Sequence, residues 1–485
     1  MTDIRGKALS DLHFGEVDSE SEQDLTARFL ATQEFESFAG GQRVDLVLGP
    51  KGSGKSAMFQ LFAHHQEHAR QLVGSALDDT IIATGTGFRD VSELSTSEIE
   101  ILRREPDFDF ERLWTLYIAI KAAVAIGEAG LESKGHLREF LRQKQLAKDF
   151  RVLPVLQSFW RNVVSGRPPA SFKVTVQGAT VEIGTEQDSF DIFDLLDEID
   201  TLLGSTDREL WLLFDNLDEL YASDPKTRTA ALSALFASVN QLRGRFGQIR
   251  PKIFLRTDLW ASLSFNNKSH WIGKDLQLSW REDELVTLLL KRALLNPLVA
   301  AYLSAIVPKV MDSAGLAEVS QAEQRALWYG LVEKRVDGDG PDESFRWMCS
   351  RSTDSRYGAL PREVITFANL AARAQRSAGR GPDTSLIGAR ALRDAYPELS
   401  RIRCETFLSE FPELQQHFKR FRGKTSAHFH REELVRLMRG LRPSGEHMVE
   451  GLYEVGVIAP IDGDVSVANT FEVPVLYRAG LGLLR

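Results

Sequence analysis

The sequence has few of the residues that build disulfide and metal sites. Its 485 residues include two cysteines, Cys349 and Cys404. Two thiols so far apart cannot form a disulfide framework, and they have no metal-ligand spacing. We therefore exclude a disulfide-rich scaffold. Both thiols are expected to be reduced and to pack as small apolar residues, as in a cytoplasmic protein.

Long hydrophobic runs are also missing. The longest apolar stretch covers residues 116–126, and Lys121 interrupts it. A helix needs about 20 apolar residues to cross a bilayer, so this stretch predicts a buried helix instead. The first residues lack the unbroken apolar core of a signal peptide. We expect a cytoplasmic protein with no membrane contact.

No strong excess of one charge is present. The chain has 59 Lys and Arg against 68 Asp and Glu, a net charge of −9, with 43% hydrophobic and 26% charged residues. This composition is typical of a folded globular protein and excludes disorder over most of the chain. The acidic balance argues against a protein that coats nucleic acid over its whole surface, but it leaves a local basic patch open.

The clearest feature that the sequence does contain is a phosphate-binding motif. Residues 44–58 read VDLVLGPKGSGKSAM, an apolar run followed by Gly49, Gly54, Lys55 and Ser56 at the required spacing. The glycines let successive backbone N–H groups converge on an anion, and the following helix adds its positive N-terminal dipole. Lys55 is expected to contact the β- and γ-phosphates, and Ser56 to bind Mg²⁺. The predicted nucleotide-binding residues are Gly49, Pro50, Lys51, Gly52, Ser53, Gly54, Lys55, Ser56 and Ala57.

A second motif supplies carboxylates. Residues 209–220 read ELWLLFDNLDEL, a fully apolar run that ends at Asp215. Such a run is typical of an interior parallel strand, whose carboxyl end opens onto the ligand crevice. We expect Asp215 to hold Mg²⁺ together with Ser56. Asp218 or Glu219 is expected to orient or deprotonate the attacking water, and the alternative is that both are solvated loop carboxylates.

Three further observations refine this prediction. Asn216 stands where many P-loop ATPases have a glutamate, so slow turnover is expected. A third apolar strand, residues 252–255, leads into Arg256, a candidate sensor of the γ-phosphate. The alternative for Arg256 is a structural salt bridge, because a lone buried charge is costly. The tripeptide 267–269 is followed by His270, not by the Asp that reads guanine, so ATP is the expected nucleotide.

The order of predicted elements indicates an α/β protein. We expect a P-loop NTPase parallel sheet with helices on both faces, a helical lid and a winged-helix-like C-terminal domain. The predicted boundaries are 1–275 for the ATPase core, 276–390 for the lid and 391–485 for the winged-helix-like domain. An insertion at about 107–187 is expected to contain a β-hairpin, SFKVTV and ATVEIG.

Two finer predictions concern the ends of the chain. An amphipathic helix is expected from about Asp24 to Phe38. Near the C-terminus, the segments VSVANTF and EVPVLYR predict the strands of the wing.

A local basic cluster lies within residues 418–442. Its basic residues are Lys419, Arg420, Arg422, Lys424, Arg431, Arg436, Arg439 and Arg442, and its aromatic residues are Phe418, Phe421 and Phe429. One interpretation is contact with the phosphate backbone of DNA or RNA. The alternative is a solvated charged face, which the neighbouring Glu432 and Glu433 favour because they dilute the positive charge.

Five segments together resemble a known group of proteins. They are GPKGSGKSA, LLFDNLDEL, FLRTDLW, LSWREDEL and GALPREV. This combination resembles bacterial P-loop ATPases of the STAND/AAA+ type, in the branch that contains NACHT, KAP and origin-recognition-like ATPases. The resemblance extends from about residue 35 to the end of the chain. The first two segments are specific, and the other three are weaker.

The resemblance implies roles for further residues. Pro361 and Arg362 would be the lid contact to the base and a second sensor. Arg256 would be the first sensor. The arginine finger is not identified, and Arg243 and Arg245 are candidates only because they precede the sensor strand. In this group a separate effector partner is common, often in anti-phage defence.

Three functions remain open on the sequence. The first is a regulatory ATPase that switches or assembles with itself or with a protein partner. The second is an ATP-controlled DNA-binding protein of the origin-recognition-like type. The third is a nucleotide-locked scaffold with little turnover, which Asn216 keeps open.

Overall fold

A computed structural model describes residues 2–40, 44–86, 95–105, 107–146, 153–157, 160, 172–176, 179–183, 192–222, 224–337, 343–379 and 384–483. The chain divides into two compact units. The sheet unit consists of Gln33–Gly49 and Lys55–Leu278. The helical unit consists of Met1–Thr32, the loop residues Pro50–Gly54 and Ser279–Arg485. The predicted boundary between a lid and a C-terminal domain at residue 390 stays a prediction.

The secondary structure elements are numbered here along the chain. The α-helices are α1 Thr2–Asp11, α2 Leu25–Arg28, α3 Gln33–Ala39, α4 Lys55–His64, α5 Gln66–Val73, α6 Thr96–Leu102, α7 Phe110–Glu128, α8 Gly135–Leu146, α9 Ile192–Ser205, α10 Pro225–Arg245, α11 Thr257–Ser262, α12 Glu282–Leu294, α13 Pro297–Ser304, α14 Gln321–Leu331, α15 Ser344–Ser352, α16 Pro361–Ala378, α17 Ala389–Glu410, α18 Gln415–Arg420, α19 Arg431–Leu437, α20 Glu446–Glu454 and α21 Val475–Leu481. The strands are β1 Leu46–Gly49, β2 Thr80–Thr86, β3 Phe172–Val176, β4 Ala179–Ile183, β5 Glu209–Phe214, β6 Ile249–Arg256, β7 Asp275–Gln277, β8 Thr353–Asp354, β9 Gly358–Ala359, β10 His428–His430, β11 Ala459–Pro460 and β12 Thr470–Glu472.

The sheet unit is built on a five-stranded sheet of order β2-β5-β6-β1-β7. Every pair of neighbouring strands is parallel. Parallel strands need crossover connections, and helices between them supply these. The predicted α/β class with a parallel sheet is therefore confirmed. β1 lies between β6 and β7, so the segment that follows it leaves from inside the sheet and not from an edge.

Helices cover both faces of this sheet, as predicted. Side chains alternate between the faces of a strand, and the strands of this sheet follow that period. Leu210, Leu212 and Phe214 of β5 belong to the core formed with α7, α9 and α10. Trp211, between them, contacts Phe38 of α3 and Phe62 of α4, with ring centroids 5.2 and 6.1 Å away. Two apolar layers bury the two faces.

The strands of the predicted hairpin are present, whereas the predicted insertion at about 107–187 stays a prediction. β3 and β4 pair antiparallel, with Phe172 opposite Ile183 and Val176 opposite Ala179. The turn residues 177–178 lie outside the described residues.

The helical unit packs its longest helix, α17, against α16 and α21. Gly480 of α21 approaches this helix closely, because a Cβ atom at Gly480 would lie 2.6 Å from the Ser400 carbonyl oxygen. The Gly480 amide also donates to the Ser400 hydroxyl, at 2.8 Å. Tyr396 donates to the Val475 carbonyl oxygen at 2.6 Å and fixes the start of α21.

Two finer predictions were wrong. The segment Asp24–Phe38 is not one helix, because the chain leaves helical geometry after Arg28 and resumes it at Gln33. The segment EVPVLYR is not a wing strand. After β12 ends at Glu472, residues 475–481 form α21, which buries Leu476, Tyr477 and Leu481 at helical spacing. The segment VSVANTF enters a strand only at Thr470.

A small antiparallel sheet lies near the C-terminus. Its order is β10-β12-β11, with Phe429 opposite Phe471 and Pro460 opposite Phe471. The helices α19 and α20 stand between β10 and β11 in the chain. This order is compatible with a winged helix, and that assignment stays a prediction.

Within the described part of the chain, no single helix has both the length and the apolar composition needed to cross a bilayer. One bent pair, Glu282–Leu294 with Pro297–Ser304, meets the composition test across a 114° bend.

A buried ionic group lies where β1 begins. The Asp45 carboxylate lies 3.3 Å from Lys252 Nζ and 2.9 Å from an Arg243 guanidinium nitrogen. Lys252 is 1% exposed at its side chain, and its ammonium lies 4.5 Å from the centre of the Trp211 ring. Burial lowers the pKa of Lys252, and Asp45 opposes that shift. The Asp45 carboxylate thus forms ion pairs with both Lys252 and Arg243.

We expect Asp45→Ala to lower the free energy of unfolding of the sheet unit by about 3–5 kcal/mol, because two buried cations lose their nearest carboxylate. The matched control is Asp197→Ala. It removes the ion pair with Arg245, in which both side chains are 47% exposed, and should cost about 1 kcal/mol or less. Urea unfolding followed by tryptophan fluorescence gives both values. Equal midpoints for the two variants would contradict the interpretation.

Candidate functional site

The site begins at the carboxyl edge of the parallel sheet. Gly49 at the end of β1 pairs with Arg256 at the end of β6. Phe214, the last residue of β5, pairs with Ile253 of β6, so Asp215 follows at the same edge. The Asp215 backbone is fixed on its other side by Thr86, whose hydroxyl donates to the Asp215 carbonyl oxygen at 2.9 Å. The sheet therefore brings together residues that lie 166 and 41 positions apart in the sequence.

The phosphate loop has the conformation that its glycines permit. Gly52 and Gly54 have φ of +92° and +98°, which side-chain-bearing residues rarely adopt. Helix α4 begins at Lys55, directly after the loop, so its positive N-terminal dipole is directed towards the loop and would favour an anion there. The Lys55 ammonium donates to the Gly49 carbonyl oxygen at 2.8 Å.

Lys55 and Asp215 have pKa values shifted in opposite directions. Burial lowers the pKa of Lys55 to about 8, and the carboxylates of Asp215 and Asp218 oppose the shift. Burial raises the pKa of Asp215 to about 6, while a hydrogen bond from Ser56 opposes it. Both charged forms are thus destabilised by desolvation. A polyanion and a divalent cation would each supply charge that the site lacks.

Ser56 and Asp215 fit a Mg²⁺ site. The Ser56 hydroxyl lies within hydrogen-bond reach of the Asp215 carboxylate, and a hydroxyl with a carboxylate is the pair that P-loop NTPases use for this ion. Oxygen ligands of this kind suit Mg²⁺, which keeps several waters. Elsewhere in the described residues, no cluster of three or more His, Cys, Asp or Glu side chains has metal-site geometry.

Arg256 is held by two carboxylates. Its guanidinium lies 2.8 Å from Asp258 and 3.4 Å from Asp218. Arg256 is 12% exposed at the side chain. The structural ion pair that the sequence left open as an alternative is therefore present. The pairing also keeps Arg256 at the sheet edge, where its charge contributes to the lowered pKa of Lys55.

The structure separates Asp218 from Glu219. Asp218 is half-buried, contacts Arg256 and contributes to the pKa of Lys55. Glu219 is exposed. The turn between them and the strand depends on Asn216, which has φ of +56°. Asn216 accepts from the Glu219 backbone amide at 3.1 Å, so it serves as a turn residue here.

The loop residues Pro50–Gly54 belong to the helical unit and contact other residues of that unit. The Trp280 indole donates to the Ser53 carbonyl oxygen at 2.8 Å. The Arg362 backbone amide approaches the Gly52 carbonyl oxygen at 3.4 Å. Pro361 is the first residue of α16 and is buried, which places Arg362 in the first turn. The predicted lid residues Pro361 and Arg362 are thus next to the loop.

Sequence reasoning missed two residues at this loop. Trp280 lies in the segment LSWREDEL, but its position there indicated no role at the site. Glu410, the last residue of α17, lies 3.0 Å from Lys51 and 3.7 Å from Arg362. An acidic residue in the last turn of a helix opposes the helix dipole, and that was the signal available in the sequence.

Neither arginine-finger candidate lies near the loop. Arg243 pairs with Asp45 at the start of β1, the end of the strand opposite to the phosphate loop. Arg245 pairs with Asp197. Both are accounted for by structural ion pairs.

The raised pKa of Asp215 predicts pH-dependent Mg²⁺ binding. Because the folded-state pKa is about 6, the carboxyl is largely ionised at pH 8 and largely protonated below pH 6. Mg²⁺ needs the ionised form, so its affinity should fall by roughly tenfold per pH unit below that value. Titration calorimetry from pH 5 to 8 measures this. Asp215→Asn should bind Mg²⁺ weakly, and its Mg²⁺ affinity should not show this decrease with falling pH. The same dependence of affinity on pH in both proteins would contradict the assignment of Asp215 as a metal ligand.

Comparisons with known proteins give limited matches. No protein-family model matches the chain. It is 26% identical over 290 residues to an 80.3 kDa protein of transposon gamma-delta from Escherichia coli (strain K12), a match that covers 58% of this chain and 39% of that protein. The chain thus spans less than half of that relative's length.

Three solved structures are similar to the chain. Cdc6p from Pyrobaculum aerophilum is 11% identical, with a TM-score of 0.33 and coverage of 92% of this chain and 91% of that chain. The Aeropyrum pernix ORC2 protein in ADPNP–ADP complexes is 12% identical, with a TM-score of 0.31 and coverage of 95% and 98%. The Aeropyrum pernix ORC1 protein in complex with DNA is 12% identical, with a TM-score of 0.34 and coverage of 94% of both chains.

Proposed function

We propose that this chain is a Mg²⁺-dependent, ATP-binding and ATP-hydrolysing regulatory P-loop ATPase, which acts as a nucleotide-driven switch or assembly module. The observation that carries the proposal is the meeting of Lys55, Ser56 and Asp215 at the carboxyl edge of the parallel sheet. Burial disfavours the charge of Lys55 and of Asp215, and bound nucleotide with its metal compensates both. An apolar strand, a glycine loop and a helix N-terminus support the same role.

The chain's residues divide the work as follows. Backbone N–H groups of the loop after Pro50, together with the Lys55 ammonium, bind and orient the phosphates. Ser56 and Asp215 hold Mg²⁺, which supplies charge neutralisation on the phosphates. Arg256 orients Asp218 and is the candidate sensor of the γ-phosphate. Pro361 and Arg362 are the candidate lid contact and second sensor, as the resemblance implies.

Asp218 is the better candidate to orient the attacking water. It is close enough to the phosphate loop to influence the pKa of Lys55, and it is half-buried where Glu219 is exposed. Its carboxylate is shared with Arg256, which weakens it as a base, and Asn216 supplies no base at all. Slow hydrolysis follows, which suits a switch better than a motor. We expect self-association or a protein partner to read the switch; anti-phage defence as its setting follows from the resemblance alone.

A second candidate function is ATP-controlled DNA binding through residues 418–442. Lys419, Arg420 and Arg422 are exposed on and after α18, which favours it. Three other observations weigh against it. The phenylalanines of this segment are buried, so they cannot stack on bases: Phe418, Phe421 and Phe429. Arg431 forms an ion pair with Glu446 and donates to the carbonyl oxygens of Ala468 and Val465. Four acidic side chains are exposed on α20 and in the turn after β11: Glu446, Glu450, Asp462 and Asp464.

Lys55→Ala should reduce ATP affinity by roughly two orders of magnitude, because charge-assisted contacts to phosphate are lost. The control is Lys226→Ala, which removes an exposed lysine at the start of α10. Binding and turnover are measured with Mg²⁺, with and without duplex DNA. Equal ATP affinity in the wild type and in Lys55→Ala would contradict the proposal.

The same experiment separates the candidate functions. Turnover that rises with DNA, and loses that response when Lys419, Arg420 and Arg422 are replaced by alanine, would favour DNA control. Turnover indifferent to DNA supports the partner-driven switch. Tight Lys55-dependent binding without turnover would leave a nucleotide-locked scaffold.

Asp218→Asn should lower kcat by about 100-fold or more while ATP affinity changes little, because the water loses its orienting carboxylate. Glu219→Gln, at the neighbouring exposed position, is the matched control and should leave kcat nearly unchanged. Single-turnover hydrolysis measures both variants. A larger loss in Glu219→Gln would reverse the assignment.

A further inference from the structure

Glu410 is a buried carboxylate in an unfavourable position. It is the last residue of α17, where the helix dipole repels negative charge, and its side chain is 2% exposed. A carboxylate in such a place is retained only if cations compensate it. Three cations do so: Lys51 at 3.0 Å, Arg403 at 3.1 Å and Arg362 at 3.7 Å.

The pKa values of Glu410 and of its neighbour Glu363 are shifted in opposite directions. Burial acts to raise both. For Glu410, however, Arg403 and Lys51 outweigh burial and hold the pKa below its usual range. For Glu363 burial prevails over Arg403 and Arg362, and the pKa is raised. An ionised carboxylate thus faces Lys51 of the phosphate loop and Arg362 of the lid helix.

The three cations around Glu410 differ in their exposure to solvent. Lys51 and Arg362 are 39% and 30% exposed at their side chains, so they can exchange partners at little cost. Arg403 is 12% exposed and lies between Glu410 and Glu363, 3.1 and 3.7 Å away. It stays with Glu410 when the other two cations leave.

We propose that Glu410 is an internal competitor for the phosphates of the nucleotide. In the nucleotide-free chain its carboxylate holds Lys51 and Arg362, and ATP binding turns these cations from Glu410 to phosphate. The inference rests on the proposed ATP binding and adds its regulation. Arg403 keeps the released Glu410 compensated, so the exchange leaves no lone buried charge.

The exchange also reaches the C-terminal helices. Arg403 lies beside the Tyr477 ring of α21, with its guanidinium carbon 5.8 Å from the ring centre. Glu410 ends the helix against which α21 packs. Binding of phosphate at Lys51 and Arg362 therefore changes the charge at the end of α17. The phosphate loop is in this way connected to the last helices of the chain through direct contacts.

The test is the ATP affinity of the full chain in which Glu410→Gln replaces the charge with an isosteric amide. We expect ATP to bind roughly tenfold more tightly, since the competitor is lost while the amide oxygen still accepts from Arg403. Fluorescent ATP titrated with Mg²⁺ gives the dissociation constants. The control is Glu405→Gln, on the same helix, which removes an exposed ion pair with Arg401 and should leave the affinity as in the wild type.

Unchanged or weakened ATP affinity in Glu410→Gln would overturn the proposal. If that variant does not fold, Glu410→Asp keeps the charge beside Arg403 and withdraws the carboxylate from Lys51. It should also tighten ATP binding, and failure to do so would overturn the proposal equally. Wild type without Lys55-dependent ATP binding would instead refute the proposed function itself, so the two failures are distinct.

Discussion

The structure depends on the pairing of β1 with β6 and of β6 with β5, all in one direction. Parallel pairing places the carboxyl ends of these strands along one edge, where Gly49, Asp215 and Arg256 come together. Parallel strands are buried on both faces, so they cannot shift register without exposing apolar side chains to water. The positions of the phosphate loop, the candidate metal ligand and the sensor are thus set by the core, and loop flexibility cannot displace their backbones.

Desolvation of charged side chains is the second factor that shapes this edge of the sheet. At the candidate site burial lowers the pKa of Lys55 and raises the pKa of Asp215. Such a site is suited to one anion and one cation together. At the opposite end of β1, the Asp45, Lys252 and Arg243 group is self-sufficient, since its charges compensate one another. The contrast shows why perturbed ionisable groups are informative only when their partners are considered. One ionic group pairs its own charges, and at the other both charged groups are disfavoured by burial.

The sequence was most informative where function depends on neighbours in the chain. The loop from Gly49 to Ala57 needs only local geometry, so its pattern predicted its place between β1 and α4. The ion pair between Arg256 and Asp258 is also local, whereas the second partner of Arg256, Asp218, lies in the turn after β5. Glu410 was not predicted, because its interest comes from its ion pairs with Lys51 and Arg362. No spacing rule connects residues so far apart in the sequence.

The errors near the C-terminus have a similar origin. In EVPVLYR the alternating valines favoured a strand, but tertiary packing decided otherwise. Leu476 with Gly480, and Tyr477 with Leu481, lie on one side of a helix that fits closely against Ser400. The phenylalanines among the basic residues belonged to the candidate nucleic-acid patch, but all three are buried and pack in the apolar core.

Gly52 lies directly against Arg362, which is distant in the sequence. A Cβ atom on Gly52 would lie 2.8 Å from the Cβ of Arg362, too close for both to exist in this packing. Even alanine at position 362 keeps that Cβ, so only glycine there would make room. Gly52 is therefore required for two reasons, its φ of +92° and the close approach of the Arg362 Cβ. A side chain at position 52 would strain the phosphate loop and also separate it from α16, whereas a change at position 362 alone meets no such clash, because Gly52 has no Cβ atom.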